Sequence, residues 1–192
     1  VKNIFSILAL AISIFSIWKN RADLTVNFPD HLIVLPDYSI EIVDDKGKYL
    51  HAYRNLFLVT IKIINPSPND IAFYDLKAVD SENNNFLEFV NTKPFKLHYD
   101  KSNILFFTNQ VTFNILNVPE NNYGVFRSNS YSKFDLPIVI TDPEEIKHLN
   151  YITISFKVAK RPLFKNTDIL VYKKKYKVTG WQDNPNKKGY NN

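Results

Sequence analysis

A run of lysines and aromatic residues near the carboxyl terminus has the composition of a surface that binds anions. The run is Tyr172-Lys173-Lys174-Lys175-Tyr176-Lys177, and Trp181 follows it. Lysines can contact the phosphates of nucleic acids or of lipid headgroups, and aromatic rings can stack on exposed bases. The candidate contacts with an anionic surface are Lys173, Lys174, Lys175, Lys177, Lys187 and Lys188.

The charge of the whole chain is concentrated in the same region. Residues 161–192 hold eight basic and two acidic side chains, whereas residues 1–160 hold sixteen basic and seventeen acidic ones. A near-neutral body with a basic tail favours anionic partners. A structural interpretation is sufficient by itself: the run is a last strand whose outward lysines block edge-to-edge aggregation. If the run does bind an anionic partner, we expect lipid headgroups or a wall polymer rather than nucleic acid.

Oxygen-bearing side chains alternate at Asp80, Glu82 and Asn84, as they do in calcium-binding loops. Such a loop requires a glycine at its sixth position and a glutamate at its twelfth, and this chain has Asn85 and Asn91 there. The segment therefore predicts a polar hairpin turn rather than a metal site.

No other pattern predicts catalysis or a cofactor. The four glycines are isolated, so neither a phosphate-binding nor a dinucleotide-binding loop can form. The chain has no cysteine, and His31, His51, His98 and His148 are scattered without metal-ligand spacing. The pairs Asp44-Asp45 and Glu144-Glu145 are explained by turns and helix caps. The sequence thus predicts no catalytic residue, no metal ligand and no cofactor.

An apolar segment at the amino terminus predicts a membrane anchor. Residues 4–18 contain no charge, proline or glycine, and Ser16-Ile17-Trp18 offers no small-x-small cleavage site. Trp18 is followed by Lys19 and Arg21, an order typical of a membrane interface. A cleaved signal and a buried or partner-binding helix are the alternatives. The predicted anchor residues are Ile4, Phe5, Ile7, Leu8, Leu10, Ile12, Ile14, Phe15, Ile17 and Trp18.

The length and flanking charges of this segment leave its depth and orientation open. Fifteen helical residues extend about 22 Å, less than the roughly 30 Å of a hydrocarbon core. The first three residues bring the helix close to spanning, because Lys2 can snorkel. Lys2 precedes the segment while Lys19 and Arg21 follow it, a balance that does not choose a side.

The remaining chain reads as short strands separated by turns rich in Asn, Asp and Pro. Residues 56–64 are the clearest strand, with Phe57, Val59, Ile61 and Ile63 on one face. The other predicted strands are 24–28, 40–43, 71–79, 86–90, 104–107, 111–116, 136–140, 151–158, 169–172 and 176–179. About nine or ten strands without a sustained helical period predict a mainly β fold, an antiparallel Ig-like β-sandwich.

Turn and cap signals complete this organisation. Asp44-Asp45-Lys46-Gly47 predicts a hairpin turn in which the glycine adopts a positive φ. Residues 119–133 are expected to form the longest loop. A short helical turn is expected near 143–149, with Asp142 as its N-cap and Leu149 facing inward. We predict an anchor at 1–21, a β-sandwich domain at 22–180 and a basic tail at 181–192.

The segment Val59-Thr60-Ile61-Lys62-Ile63-Ile64-Asn65-Pro66-Ser67-Pro68-Asn69-Asp70-Ile71 resembles the strand–Asn-Pro–strand signature of water-stress, late-embryogenesis-abundant-like β-sandwich domains. The chain also resembles uncharacterised bacterial proteins that join a membrane helix to a β-sandwich. Both resemblances imply a non-enzymatic Ig-like sandwich and carry over no functional residue.

Three hypotheses about function follow from the sequence. The first is a membrane-anchored β-sandwich that acts as a binding, accessory or scaffold protein, with the bilayer and a protein or anionic polymer as partners. The second is a hydrolase or transferase whose site is assembled from distant acids and histidines. The third is a pilin-like assembly subunit, although Phe5 stands where pilins carry a glutamate.

Overall fold

An N-terminal helix precedes a set of antiparallel strands. The computed structural model describes residues 2–19, 23–91, 93, 102–108, 112–141, 148–160 and 168–178. The elements are α1 (Lys2–Lys19), β1 (Thr25–Asn27), β2 (Ile33–Leu35), β3 (Ile40–Asp44), β4 (Tyr49–Ala52), β5 (Leu56–Asn65), β6 (Ile71–Asp80), β7 (Phe86–Phe89), β8 (Ser102–Thr108), β9 (Thr112–Ile115), β10 (Gly124–Phe126), β11 (Ser130–Val139), β12 (Tyr151–Lys160) and β13 (Asp168–Lys177). The prediction of a mainly β, antiparallel chain with an N-terminal helix is confirmed.

Nine of these strands form one curved sheet. Its order is β1-β5-β11-β7-β6-β12-β13, with β2 added to β5 and β10 added to β6. Strand β7 joins the two halves, because Glu88 pairs with Val139 of β11 and Phe86 pairs with Val79 of β6. The two ends of the sheet approach each other where the Tyr172 hydroxyl donates to the carbonyl of Leu24 at 3.2 Å. The sheet is therefore nearly closed and barrel-like.

The other four strands form a second sheet in the order β4-β3-β8-β9. Ile40 and Ile42 of β3 are completely buried against Leu56 and Leu58 of β5. The second sheet thus covers the outer face of one end of β5.

Strand β5 is buried on both faces at this covered end, where its residues are all apolar. Phe57, Val59, Ile61 and Ile63 are completely buried in the main core, which confirms their predicted common face. Because successive side chains in a strand point in opposite directions, Leu56 and Leu58 belong to the smaller core under the second sheet. This two-sided burial makes β5 the centre of the fold.

The predicted turn at residues 44–47 is confirmed. Gly47 has a φ of 77°, a conformation that glycine adopts at little cost. One carboxylate oxygen of Asp44 accepts the backbone N–H groups of Lys46 at 2.9 Å and Lys48 at 2.7 Å. The side chain of Asp44 therefore closes the hairpin between β3 and β4.

The strand count and the long loop were predicted incorrectly. The described residues form thirteen strands rather than nine or ten, because β2, β4 and β10 have only three or four residues. Such short strands are too brief for an alternating pattern to be recognised. The predicted loop at 119–133 contains β10 and the beginning of β11. Ser130 and Ser132 are half-buried there without giving an apolar signal.

The last predicted pair of strands is one strand. Residues 169–172 and 176–179 were expected to be separate, but β13 runs through the three intervening lysines. It pairs with β12 over its whole length. Lys174 is accommodated on the inner side because its ammonium group lies 3.5 Å from Asp30.

The helical turn expected near 143–149 falls mostly outside the described residues. Residues 142–147, including Asp142 and Glu144-Glu145, are not described, whereas His148 is helical. Leu149 is buried in the main core, which confirms its predicted inward orientation.

Gly124 lets β10 approach β6 closely, and Gly124→Ala is expected to destabilise the fold. An added Cβ would lie 2.7 Å from Cε1 of Phe73, whose ring stacks on Phe126 with centroids 4.6 Å apart. Such overpacking typically costs about 1–3 kcal/mol. Urea unfolding measures the loss. In a Phe73→Leu background the same Gly124→Ala change should cost less, because the clashing ring atoms are absent. An equal cost in both backgrounds would contradict this account.

Candidate functional site: an apolar helix and a lysine face

Helix α1 presents its apolar side chains to the surroundings. Eight of the predicted anchor residues are 58–68% exposed: Ile4, Phe5, Ile7, Leu8, Leu10, Ile12, Ile14 and Phe15. The side chains of the other two, Ile17 and Trp18, lie outside the described part. A contiguous apolar surface of this kind marks a site of interaction. Within the described ranges, no helix has both the length and the apolar character needed to cross a membrane.

The first described residues after α1 lie beside β13. The described chain resumes at Asp23, and Leu24 is buried in the main core. The carbonyl of Leu24 accepts the hydroxyl of Tyr172, which lies in the middle of β13. Asp30, beyond β1, lies beside Lys174 of the same strand. The segments on either side of β1 are thus both held next to β13.

The alternation of β13 separates its tyrosines from most of its lysines. Tyr176 is buried in the main core, and Tyr172 packs against that core with its ring stacked on Phe156 at a centroid distance of 5.1 Å. Lys173, Lys175 and Lys177 are exposed on the opposite side of the strand. Lys174 lies on the inner side at the sheet edge. The rings of Tyr172 and Tyr176 are therefore core residues, which leaves the three outer lysines as the exposed cations of the run.

Two lysines from neighbouring strands join the three on β13. Lys173 pairs with Ser155 of β12, which pairs in turn with Lys77 of β6, so the two lysines flank a serine. Lys157 of β12 lies one row away, opposite Val171. We define the lysine face as the outer side of β6, β12 and β13 that carries Lys77, Lys157, Lys173, Lys175 and Lys177. Lys187 and Lys188 lie outside the described residues.

An aromatic ring and a carboxylate shape the charge of the lysine face. The ammonium group of Lys175 lies 4.0 Å from the ring centroid of Tyr151, a cation–π contact. Asp75 lies 2.8 Å from the ammonium of Lys157 and 3.0 Å from that of Lys77. The bond from Lys157, followed by that from Lys77, holds the pKa of the Asp75 carboxyl below its usual value. Asp75 therefore offsets part of the positive charge of Lys77 and Lys157, on the β6 and β12 side of the face.

Tyr176 carries the buried polar group that lacks a partner in the described region. Its hydroxyl has no hydrogen bond there, and the residue is almost completely buried. Burial, with a smaller contribution from the charge of Asp30, raises the pKa of Tyr176. This hydroxyl therefore remains neutral near pH 7.

The predicted calcium-like segment forms a polar turn. The Asp80 carboxylate accepts the backbone N–H of Glu82 at 2.9 Å and the side-chain amide of Asn83. Asn84 has a φ of 57°, as the turn between β6 and β7 requires. The prediction of a hairpin turn is confirmed.

The remaining acids and histidines lie apart. Asp135 is buried and accepts the Thr60 hydroxyl at 2.7 Å and the backbone N–H of Asn117 at 3.0 Å. The described histidines, 31, 51 and 148, are exposed, and His98 lies outside the described residues. Among the described side chains, no three acids or histidines are grouped closely enough to hold a metal ion.

The lysine face includes residues that sequence reasoning did not select. Lys77 lies between the buried Leu76 and Ala78, and Lys157 lies between the buried Phe156 and Val158. This alternation already indicated that both lysines point outward. The position of Lys77 near β13 depends on strand pairing over about 80–100 residues of sequence, for which the chain carries no local signal. Lys157 reaches β13 through the pairing of β12 with β13, where it lies opposite Val171.

No protein-family model matches the sequence, and no curated protein is significantly similar to it.

Proposed function

We propose that this protein is a membrane-anchored, non-enzymatic β-sandwich that acts as a binding, accessory or scaffold protein. Helix α1 is embedded in the bilayer and holds the β domain at the membrane surface. The observation that carries the proposal is the exposure of all eight described apolar anchor side chains. Lipid would remove this apolar surface from water, which is strongly favourable.

The polar groups of α1 are compatible with a lipid environment. Ser13 lies in the middle of the apolar segment, and its hydroxyl donates to the carbonyl of Ala9 at 2.9 Å. A hydroxyl that is satisfied within its own helix avoids the cost of an unpaired polar group in hydrocarbon. The hydroxyl of Ser13 is therefore no obstacle to embedding.

The Ig-like sandwich arrangement is supported by the aromatic centre of the main core. Phe126 of β10 lies 5.7 Å from Phe134 of β11 and 5.8 Å from Phe156 of β12, measured between ring centroids. These strands come from the two halves of the nine-stranded sheet. Two β layers packed through such a core are the usual architecture of an Ig-like domain.

A non-enzymatic role is supported by what the buried carboxylates do. Asp44 and Asp80 close hairpin turns, and Asp135 joins β5, β11 and the chain before β11 through hydrogen bonds. Carboxylates whose hydrogen bonds stabilise turns and strand pairs have a structural role. The exposed surfaces are then the parts of the protein available for partners.

Flotation with lipid vesicles tests the anchoring directly. The full chain is expected to float with neutral vesicles at high salt and to resist a carbonate wash, because apolar burial is insensitive to ionic screening. A variant lacking residues 2–19 should stay in the dense fraction while retaining its β circular dichroism spectrum. Release of the full chain by carbonate would overturn the proposal. Aggregation of the shortened variant would instead make α1 part of the core.

A further inference from the structure

We propose that the outer side of β13 is a second membrane contact, which lies against anionic lipid headgroups and fixes how the β domain sits on the bilayer. This inference rests on the proposed embedding of α1. It assigns the lysine face to one occupant, a lipid surface that carries negative charge.

The position of the α1 exit brings β13 to the membrane. Lys19 ends α1, and the four steps of chain to Asp23 span at most about 14 Å when fully extended. The next residue, Leu24, is held to β13 by the Tyr172 hydroxyl. A bilayer that contains α1 therefore lies close to the edge of the sheet formed by β13, whatever the direction of the intervening residues.

The outer side of β13 combines apolar and basic side chains in separate zones. Ile169 is 56% exposed and Val171 is 46% exposed, and they occupy the first half of the strand. Lys173, Lys175 and Lys177 occupy the second half. Branched apolar side chains suit the boundary between headgroups and acyl chains, while lysine stems lie along apolar surface with their ammonium groups in the headgroup layer.

The charge of the face is greatest along β13. Asp75 pairs with Lys77 and Lys157, and Asp30 pairs with Lys174, so these carboxylates lie beside the other lysines of the region. Each lysine near an anionic membrane surface strengthens binding by about fivefold at moderate ionic strength. Three lysines on one strand are therefore enough to bias the orientation of a domain that α1 already holds at the surface.

The structure favours lipid over nucleic acid as the occupant. Binding of single-stranded nucleic acid combines phosphate contacts with aromatic platforms for the bases. Tyr172 and Tyr176 are packed into or against the core, and the ring of Tyr151 is covered by Lys175. The exposed apolar groups of β13 itself are aliphatic, Ile169 and Val171, which suit lipid. The exposed ring of Phe86 lies at the other side of the face, 5.6 Å from the ammonium of Lys77.

The absence of cysteine from the chain allows a clean test with single reporters. Val171→Cys places a fluorescent label on the proposed contact, Leu10→Cys places one in α1, and Tyr49→Cys places one on the exposed side of β4, in the second sheet. The full-length variants are reconstituted with neutral phosphatidylcholine vesicles or with vesicles that also contain phosphatidylglycerol. Quenchers attached to the lipid headgroups or acyl chains report proximity to the bilayer.

The two proposals predict different patterns of quenching. The label at position 10 should be quenched in both kinds of vesicle, because α1 is embedded regardless of charge. The label at position 171 should be quenched at least about threefold more in anionic vesicles, and added salt should reverse the difference. The label at position 49 should remain unquenched, because the second sheet covers the end of β5 that lies away from β1 and the α1 exit. Quenching at position 10 without charge-dependent quenching at position 171 would overturn the second contact alone, whereas no quenching at position 10 would overturn the anchor.

Charge variants complete the test. With the position 171 label, changing Lys173, Lys175 and Lys177 together to glutamine should abolish the charge-dependent quenching and leave the position 10 signal unchanged. Asp75→Asn should increase the quenching, because Lys77 and Lys157 then lose their compensating carboxylate. Persistence of the effect in the triple variant would overturn the assignment. Protection of the label by single-stranded RNA, without an effect of anionic vesicles, would identify nucleic acid as the occupant and also overturn it.

Discussion

Asn65→Asp is expected to destabilise the β domain by about 3–5 kcal/mol, which is a large part of the stability of an ordinary domain. Asn65 ends β5 and is only 1% exposed. Its side-chain amide donates to the carbonyls of Asn69 at 2.9 Å, Phe126 at 3.0 Å and Arg127 at 3.0 Å. The substitution replaces this donor by a second acceptor of the same size.

A carboxylate at position 65 would face three carbonyl oxygens. The oxygen of Asn65 that accepts the N–H of Ser67 would keep its bond at 3.0 Å, while the new oxygen would be repelled by its neighbours. Burial and these oxygens raise the pKa of the new carboxyl. The loss should therefore be greatest near neutral pH and should shrink as the pH falls and the carboxyl is protonated.

Chemical unfolding near neutral pH and in mild acid measures both effects. Asn69→Asp is the matched control, since it makes the same chemical change four residues later at an exposed side chain. It should change the free energy of unfolding by less than about 0.5 kcal/mol. Similar effects of the two substitutions would contradict the role assigned to Asn65.

Asn65 and Pro66 together end β5 and fix the turn that follows it. Proline cannot donate a backbone hydrogen bond, so Pro66 ends the ladder of β5. Asn65 then ties the turn to the chain between β10 and β11, about sixty residues later. The long-range bonds of the Asn65 side chain are therefore a physical reason for the pair Asn65-Pro66 at this turn.

Local alternation was enough to predict most of the main strands. In β5 the side chains of Phe57, Val59, Ile61 and Ile63 share one face because their period of two is uninterrupted. The polar turns at Asp44 and Asp80 were also predictable, since the side chains of both residues bond to their own following backbone. Features that are decided within about ten residues were therefore accessible from sequence.

Features that depend on distant pairing were not accessible. Strand β10 exists because Gly124 permits close contact with Phe73, and nothing near Gly124 indicates that partner. The lysine run was predicted as a break between two strands, and its inclusion in one continuous strand depends on the pairing of β13 with β12. The candidate site could thus be located on the chain from composition, but its shape required the register of three strands.

Leu10→Lys is expected to reduce the partition coefficient of the full chain into lipid vesicles by about 100-fold. Leu10 lies near the middle of α1, where a charged side chain costs about 2.5–3.5 kcal/mol on insertion. Ile4→Lys makes the same kind of change near the beginning of the helix. There the long lysine stem can reach the headgroups, so the loss should be less than about 10-fold.

Titration of each variant with neutral vesicles gives the partition coefficients, and Leu10→Met controls for the change in shape. The β domain should unfold at the same denaturant concentration in all variants, because residues 4–16 of α1 are exposed and contribute no buried side chain to the cores. Equal losses at positions 4 and 10 would mean that α1 lies flat in the interface instead of entering the bilayer end-on. No loss at either position would contradict the anchor itself. The dependence of the loss of lipid partition on position along the helix therefore separates an embedded α1 from a surface-bound one. The absence of any loss would instead indicate a helix that binds a protein partner.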